Sequence, residues 1–461
     1  MLFHSTRGKD KDKTFEQVLM QGLADDGGLF IPDNWPKVDI NKLKELDTFL
    51  DVAKYIVPMF TQSSFDKGEV EEVLNNTWHN FSEKDLIKIF DIDESTAILE
   101  LFHGPTAAFK DFGLQLAAAF FNKTLQTQNK TAVVFGATSG DTGSAAIDAC
   151  KEFDLIKSFI LIPDGNMSEI QRKQMTTVDK SNVFPILVSG TFDDCQDIVK
   201  KGFSERSFLR DDQYLLAVNS INWVRIIGQI CYYFYASLIV NKLSHPLNFS
   251  VPTGNFGNVF ACYAASKMGM PLEKIIVAVN SNDILDRFFK NNDYSKKTVS
   301  ETISPSMDIS VASNFERLVY DFYLNRNSEA CSNLYNNFPE YGIKIDDEMW
   351  QKSEDLFMSY SINDDSTYES MKFYNNEYNY VMDPHTAVAA EAVSSLKDKL
   401  KNKTIILSTA HPAKFPNALD NAGIISDDIP DNLSEVISKK EVASKLSASE
   451  DSIFNYIKEN N

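Results

Sequence analysis

The sequence predicts an α/β protein built on a largely parallel sheet, with a small helical domain ahead of it. Three observations predict this. Between residues 95 and 279 short apolar runs alternate with longer amphipathic stretches, the pattern of strands joined by right-handed helical crossovers. Several runs end in glycine-bearing turns that open directly into a helix. Residues 15 to 91 instead mix apolar and polar positions at a spacing near 3.6, as in VLMQGLADDG and VAKYIVPMF.

Taken in order, the turn DDGGLFIPDNWP divides two helical stretches of the first domain. AVVFG (132–136) reads as a strand, followed by a glycine-rich turn and a helix through Ala149. FILIP (159–163) is a strand, SEIQRKQMTT a helix, VFPILVS (183–189) a strand and DDCQDIVKKGF a helix. YLLAV (214–218) is a strand, and NWVRIIGQICYYFYASLIV a long buried helix. LNFSV (247–251) and KIIVAV (274–279) are further strands, and TIILST (404–409) is expected to rejoin their sheet. Such strands, apolar along their length, suit a parallel sheet covered on both faces. Residues 290 to 380, rich in Asn, Ser, Tyr and acidic side chains, read as a polar, mostly helical insertion. The stretch after Ser426 reads as a charged, peripheral tail.

Bulk properties narrow the function classes. The chain has 461 residues, 43% hydrophobic and 24% charged, which suits two or three globular domains. With 65 acidic against 45 basic residues it carries a formal charge of -20, and such a surface repels nucleic acid. The five cysteines are scattered without a CxxC, which argues for buried thiols in a reducing compartment rather than disulfides or zinc. No signal-peptide run opens the chain, and the apolar stretch 226–240 follows Arg225 and contains Gln229, so it reads as a core helix. A cytoplasmic protein with no membrane partner is expected.

Four segments carry chemistry. In HGPTAAFKDFG (103–113), Pro105 and Thr106 look like a helix start, and Lys110 lies near it among Ala107, Ala108, Phe109 and Phe112. Burial and a positive helix end both disfavour an ammonium, and a neutral amine is what a Schiff-base nucleophile needs. A lysine reaching out of an amphipathic helix would read the same way. FGATSGDTGSAA (135–146) joins a strand to a helix through small residues, so backbone N–H groups can meet an anion. It is neither a GxxxxGK loop nor GxGxxG. VPTGNFGNVFA (251–261) has a similar form and could cradle a phosphate without a lysine. In STAHPAKFPNA (408–418), Thr409 ends the late strand, where ligands bind in open parallel sheets. Either glycine turn alone could be purely structural, and His411 and Lys414 alone could belong to a polar loop.

Together and in this order, HGPTAAFKDFG, ATSGDTGSAA, PTGNFGN and STAHPAKF resemble the signature segments of the threonine synthase family. FHSTRG (3–8), GLADDGGLFIP, PDGNMSEIQRKQM, SGTFDDCQ, NSINWVRIIGQ (219–229) and DPHTAVA (383–389) are similar to its other stretches. The resemblance covers nearly the whole chain apart from the insertion and the tail. It implies a fold type II pyridoxal-phosphate enzyme of the tryptophan synthase β class, with two parallel-sheet domains and the N-terminal helical domain. The expected boundaries are 1–94 for the helical domain, 95–131 with 221–426 for the large domain, 132–220 for the small one, and 427–461 for the tail.

The implied reaction converts O-phospho-L-homoserine and water to L-threonine and phosphate, with pyridoxal 5'-phosphate on Lys110. By the same resemblance Gly254, Asn255, Phe256, Gly257 and Asn258 wrap the cofactor phosphate, and Thr409 meets the pyridine nitrogen. Ser139, Asp141 and Thr142 lie where the substrate carboxylate is held. Asn222, Arg225 and Lys414 are candidates for the substrate phosphate, unless Arg225 simply pairs with an acid. Two departures stand out. The wider fold type often has Asn at the position of Asp141, and an ionised Asp cannot donate to the cofactor phenolate oxygen. Several relatives have Asp where Asn258 stands. Rival readings are a related phospho-lyase with another substrate, a non-catalytic cofactor-binding homologue, and a dinucleotide dehydrogenase, the last disfavoured by the missing GxGxxG. A monomer or homodimer is expected.

Overall fold

A computed structural model describes every residue of the chain except Ser139 and Asn166. The strands are β1 (Phe3–Ser5), β2 (Phe30–Pro32), β3 (Lys88–Asp91), β4 (Thr96–Glu100), β5 (Thr131–Ala137), β6 (Ile156–Pro163) and β7 (Val183–Ser189). They continue as β8 (Gln213–Leu216), β9 (Leu247–Pro252), β10 (Leu272–Val279), β11 (Phe357–Ser361), β12 (Thr404–Ser408) and β13 (Ser444–Ser447). They form two sheets and one small antiparallel pair, β1 with β2.

The larger sheet has the order β11-β10-β9-β12-β4-β3 and is parallel except where β3 meets β4. The smaller, β13-β7-β6-β5-β8, is parallel throughout. The late strand β12 does rejoin the large sheet and occupies its middle, between β9 and β4. Segments that leave β4, β12 and β9 therefore emerge side by side at one sheet edge, where parallel α/β sheets bind ligands.

The helix Trp223–Asn241 runs through the centre and buries all but its last turn. It is long and apolar enough to cross a membrane, yet 89% of its apolar window is buried inside the protein. Its apolar face belongs to the core: Trp223 meets Phe3, Phe60 and Phe260 edge-on, and each such large side chain contributes about 2–3 kcal/mol by leaving water. It crosses the helix Lys110–Gln128 at two glycines. A Cβ on Gly113 would lie 3.0 Å from Arg225 Cα, and one on Gly228 would lie 2.9 Å from the Phe112 carbonyl. Only hydrogen fits at that crossing, which brings Lys110 and Arg225 near each other.

Several expectations need correction. The N-terminal region has its capped helices (Phe15–Gln21, Phe49–Ile56 and Lys67–Asn75), but it also supplies β1, β2 and β3. The polar insertion is not merely helical, because β11 closes one edge of the large sheet. The tail is not peripheral. Strand β13 pairs in register with β7, and the helix Glu450–Asn460 buries Ile453, Phe454 and Ile457.

Candidate active site

Lys110 is the first residue of its helix, four positions later than the Pro105-Thr106 start expected from sequence. The reason is local. Thr106 turns its N–H and hydroxyl onto the Asp111 carboxylate at 2.9 and 2.7 Å, and Ala107 has a φ of 53°. Ala108 then bridges Ala410, and Phe109 N–H donates to the Thr409 carbonyl at 2.9 Å. The strand end of β12 thus fixes where the lysine helix begins.

The Lys110 amine lies 3.4 Å from Asp141 Oδ2 and 3.4 Å from Ser306 Oγ. Burial drives its pKa below the ordinary lysine value, and Lys414 and Arg225 add to that against the opposing pull of Asp141. Asp141 opens the helix Asp141–Cys150 and is fully engaged. Its Oδ1 takes the Lys414 ammonium at 2.7 Å and Gln171 Nε2 at 3.0 Å, and its Oδ2 faces Lys110 and Ser306. Burial alone would raise this carboxyl, but Lys414, Lys110 and His385 outweigh it and hold it well below the usual range. Lys414 is wholly buried and also donates to the Thr106 carbonyl at 2.8 Å.

The turn before Asp141 is shaped by Thr138, whose hydroxyl oxygen accepts from Gly140 and Gly143 N–H. Thr142 follows Asp141, part-exposed on the first turn of that helix. Ser139 lies outside the described residues.

The Gly254–Asn258 turn leaves β9 beside these groups. Among the described residues, none of its five backbone N–H groups finds an acceptor. Phe256 has a φ of 63°, which folds the turn back onto the helix Gly257–Met268. A Cβ on Gly254 would lie 2.7 Å from the Ser306 carbonyl oxygen, so glycine is needed for that approach. Asn258 accepts from both Tyr232 and Tyr233 hydroxyls, and its own buried Nδ2 has no acceptor among the described residues. Unused donors around a concave turn suit a phosphate. Thr409 sits at the end of β12 with its N–H on Thr386 Oγ1 at 3.3 Å. An amine, a nest of free N–H groups and a strand-end hydroxyl fit pyridoxal phosphate.

Two expected phosphate ligands differ in their surroundings. Asn222 caps the central helix, accepting from Val224 N–H at 3.2 Å and donating to the Leu19 carbonyl at 2.9 Å, which commits its oxygen and one of its two amide hydrogens to the fold. Arg225 has no acidic partner among the described residues. It gives one bond to the Val218 carbonyl at 3.0 Å, its Nε is unpaired, and burial brings it down to about 10.

Sequence reasoning missed Ser306 and the pair behind it. Ser306 N–H donates to His385 Nε2 at 3.2 Å, and His385 Nδ1 pairs with Asp383 at 2.8 Å. DPHT was visible as a stretch; nothing in the polar segment around Ser306 marked it.

A family model for pyridoxal-phosphate dependent enzymes matches residues 96–333, threonine synthase N terminus matches 2–78, and threonine synthase C-terminal matches 386–457. The threonine synthase of Pseudomonas aeruginosa is 40% identical over 445 residues, covering 96% of this chain and 94% of that one. Human threonine synthase-like 2 is 33% identical, covering 92% and 90%. The solved pyridoxal-phosphate-bound threonine synthase of Brucella melitensis superposes with a TM-score of 0.95 at 35% identity, covering 99% of each chain. The yeast enzyme's structure gives 0.93 at 38% identity, covering 100% and 98%. The chain belongs to the threonine synthase family and is a pyridoxal-phosphate-dependent lyase of fold type II.

Proposed function

We propose that the protein converts O-phospho-L-homoserine and water to L-threonine and phosphate, with Lys110 as the cofactor lysine and the reaction's principal base. The observation that carries this reading is the placement of a buried, weakly held amine beside a turn whose five N–H donors find no acceptor among the described residues. When bound, pyridoxal phosphate supplies the electron sink that makes the substrate carbons acidic.

The chain's own residues do the rest. The N–H groups from Gly254 to Asn258 would hold the cofactor phosphate, and the Thr409 hydroxyl would serve the ring nitrogen without forcing a proton onto it. The N-terminus of the Asp141 helix, with Ser139 and Thr142, orients the substrate carboxylate. Arg225, a buried cation with no acidic partner among the described residues, takes the substrate phosphate. Lys110, freed when the substrate amine arrives, removes the Cα proton and then a Cβ proton as phosphate leaves Cγ. It returns protons to Cγ and Cα while water adds at Cβ. One amine can serve these neighbouring carbons because they lie within a few ångströms of each other. Lys414 and Asp141 act on Lys110 from behind.

Phosphate release from phosphohomoserine, with threonine identified as the co-product, tests the reaction. Borohydride should abolish it and leave a reduced cofactor adduct on Lys110. Intact activity after reduction, or an adduct on another lysine, would refute the assignment. A second reading is elimination from a related phosphorylated amino compound; a keto acid and ammonia in place of threonine would establish it. We read the two sheets as two domains, and the reaction as that of a cytoplasmic monomer or homodimer needing no nucleic acid or membrane.

A further inference from the structure

We propose that Lys414 is a positioning residue for Lys110: by claiming the Asp141 carboxylate more closely it leaves Lys110 as the weakly held amine of the cavity. The inference rests on the reading of Lys110 as the cofactor lysine and adds what makes that amine reactive.

Two buried amines face one carboxylate, and the geometry divides it unequally. Lys414 Nζ lies 2.7 Å from Asp141 Oδ1, whereas Lys110 Nζ lies 3.4 Å from Oδ2. Lys414 also bonds the Thr106 carbonyl at 2.8 Å, so its ammonium has two firm acceptors. Among the described residues Lys110 makes two long contacts, to Asp141 and Ser306. An ammonium buried without close acceptors loses its hydration and gains little back. Lys110 is therefore the amine that gives up its proton more readily than an ordinary lysine.

Gln171 fixes the division from the other side, holding the same Asp141 oxygen as Lys414 at 3.0 Å. The remaining ionisable groups are accounted for. Arg225 from the central helix adds positive charge near Lys110. Asp111, on the lysine's own helix, is turned away onto Thr106. His385 reaches the cluster through Ser306 N–H and is itself paired with Asp383. Asp141 is thus the acid in contact with Lys110 among the described residues, and Lys414 is its stronger claimant.

The arrangement makes opposite predictions for its two members. In Lys414→Met, Asp141 is left to Lys110 alone, which then holds its proton more firmly. In Asp141→Asn, Lys110 keeps two neighbouring cations and no anion, and holds its proton less firmly. The experiment uses the full chain stripped of cofactor and measures the rate of reloading with pyridoxal phosphate against pH, read by the visible band of the bound cofactor. The midpoint should rise in Lys414→Met by about one pH unit, a tenfold loss of free amine at a fixed lower pH. It should fall in Asp141→Asn. General damage to the cavity would not move the two in opposite directions. Midpoints that stay put, or that move the same way, overturn the proposal. Circular dichroism checks the fold, and Lys414→Gln, which keeps a donor for Thr106 but no charge, replaces Lys414→Met if the latter misfolds. Borohydride reduction of each reloaded sample locates the adduct. Reloading at a different lysine would sink the cofactor assignment itself, whereas an adduct on Lys110 with an unmoved midpoint would sink only the role of Lys414.

Discussion

The Ser306 hydroxyl lies 3.4 Å from the Lys110 amine, although 196 residues separate the two in sequence. The same oxygen is 3.4 Å from Asp141, and the Ser306 carbonyl packs over Gly254. Ser306 is therefore the residue that ties the lysine to the phosphate turn. Its backbone is held in turn by His385 and Asp383.

Ser306→Ala removes one hydrogen bond from the amine after it is freed, worth about 1 kcal/mol. Steady-state kinetics should show kcat down about fivefold, by that same energy, with KM for phosphohomoserine little changed. Ser306→Thr should restore most of it. An unchanged kcat in Ser306→Ala would remove Ser306 from the machinery.

What could be read from sequence was whatever has a local signature. Glycines at strand-to-helix turns mark close backbone approach, and both such turns lie at strand ends in the structure. Lys110 stood out by its apolar neighbours, but a lysine reaching out of an amphipathic helix has the same neighbours, and only the resemblance to the family chose between them. Ser306 was not, since it reaches the site from a stretch of Asn, Ser and acidic residues whose loop is held by side-chain bonds such as Asn280 to Asp308 at 2.7 Å. Those bonds follow no period. The start of the lysine helix was misplaced because the Pro105-Thr106 pair imitates a cap while Thr106 is bound to Asp111. The SKLS strand β13 escaped notice because an edge strand with half its residues exposed has almost no apolar pattern.

Arg225 offers a second test. It is 3% exposed and carries no acidic partner among the described residues. If it waits for the substrate phosphate, Arg225→Met should raise KM for phosphohomoserine by about tenfold or more, the loss of a charge-assisted bond. Thermal stability should hold or increase, because an unpaired buried cation is replaced by an apolar chain. A large drop in melting temperature with KM intact would mark Arg225 as structural.

The stability of the protein should depend on His411 below neutral pH. Burial pushes its imidazole down to about 4 from the ordinary value of 6.5, and its Nδ1 accepts from Ala413 N–H at 3.2 Å. The folded state thus binds fewer protons than the unfolded one in this window. The stabilisation is complete above about pH 6.5 and is lost as pH falls toward 4, by about 3 kcal/mol at most. Asp111, raised to about 7, acts in the opposite sense, its contribution full below 3.8 and lost as pH rises through 7. The difference between wild type and His411→Asn isolates the histidine: urea unfolding of the variant should lose less stability between pH 7 and 5. Parallel curves would contradict the assignment.

Leu433 ties the C-terminal segment to the site. It is fully buried in a small cluster with Ala107, Ile170 and Ala413, which come from the lysine segment, the helix Glu169–Thr176 and the turn bearing Lys414. Its neighbour Asn432 donates to the Gly104 and Pro105 carbonyls at 3.2 and 3.0 Å. A solvent-exposed tail would make none of these contacts. Leu433→Ala should therefore cost about 2–4 kcal/mol, the range for emptying a buried leucine site, measured as a lower urea midpoint. Asn432→Ala should cost less, about 1–2 kcal/mol, and the two losses should not add, since both act on the same loop. If Leu433→Ala unfolded within about 0.5 kcal/mol of wild type, the level of an ordinary surface change, the segment after Ser426 would be detached from the cofactor loop in solution.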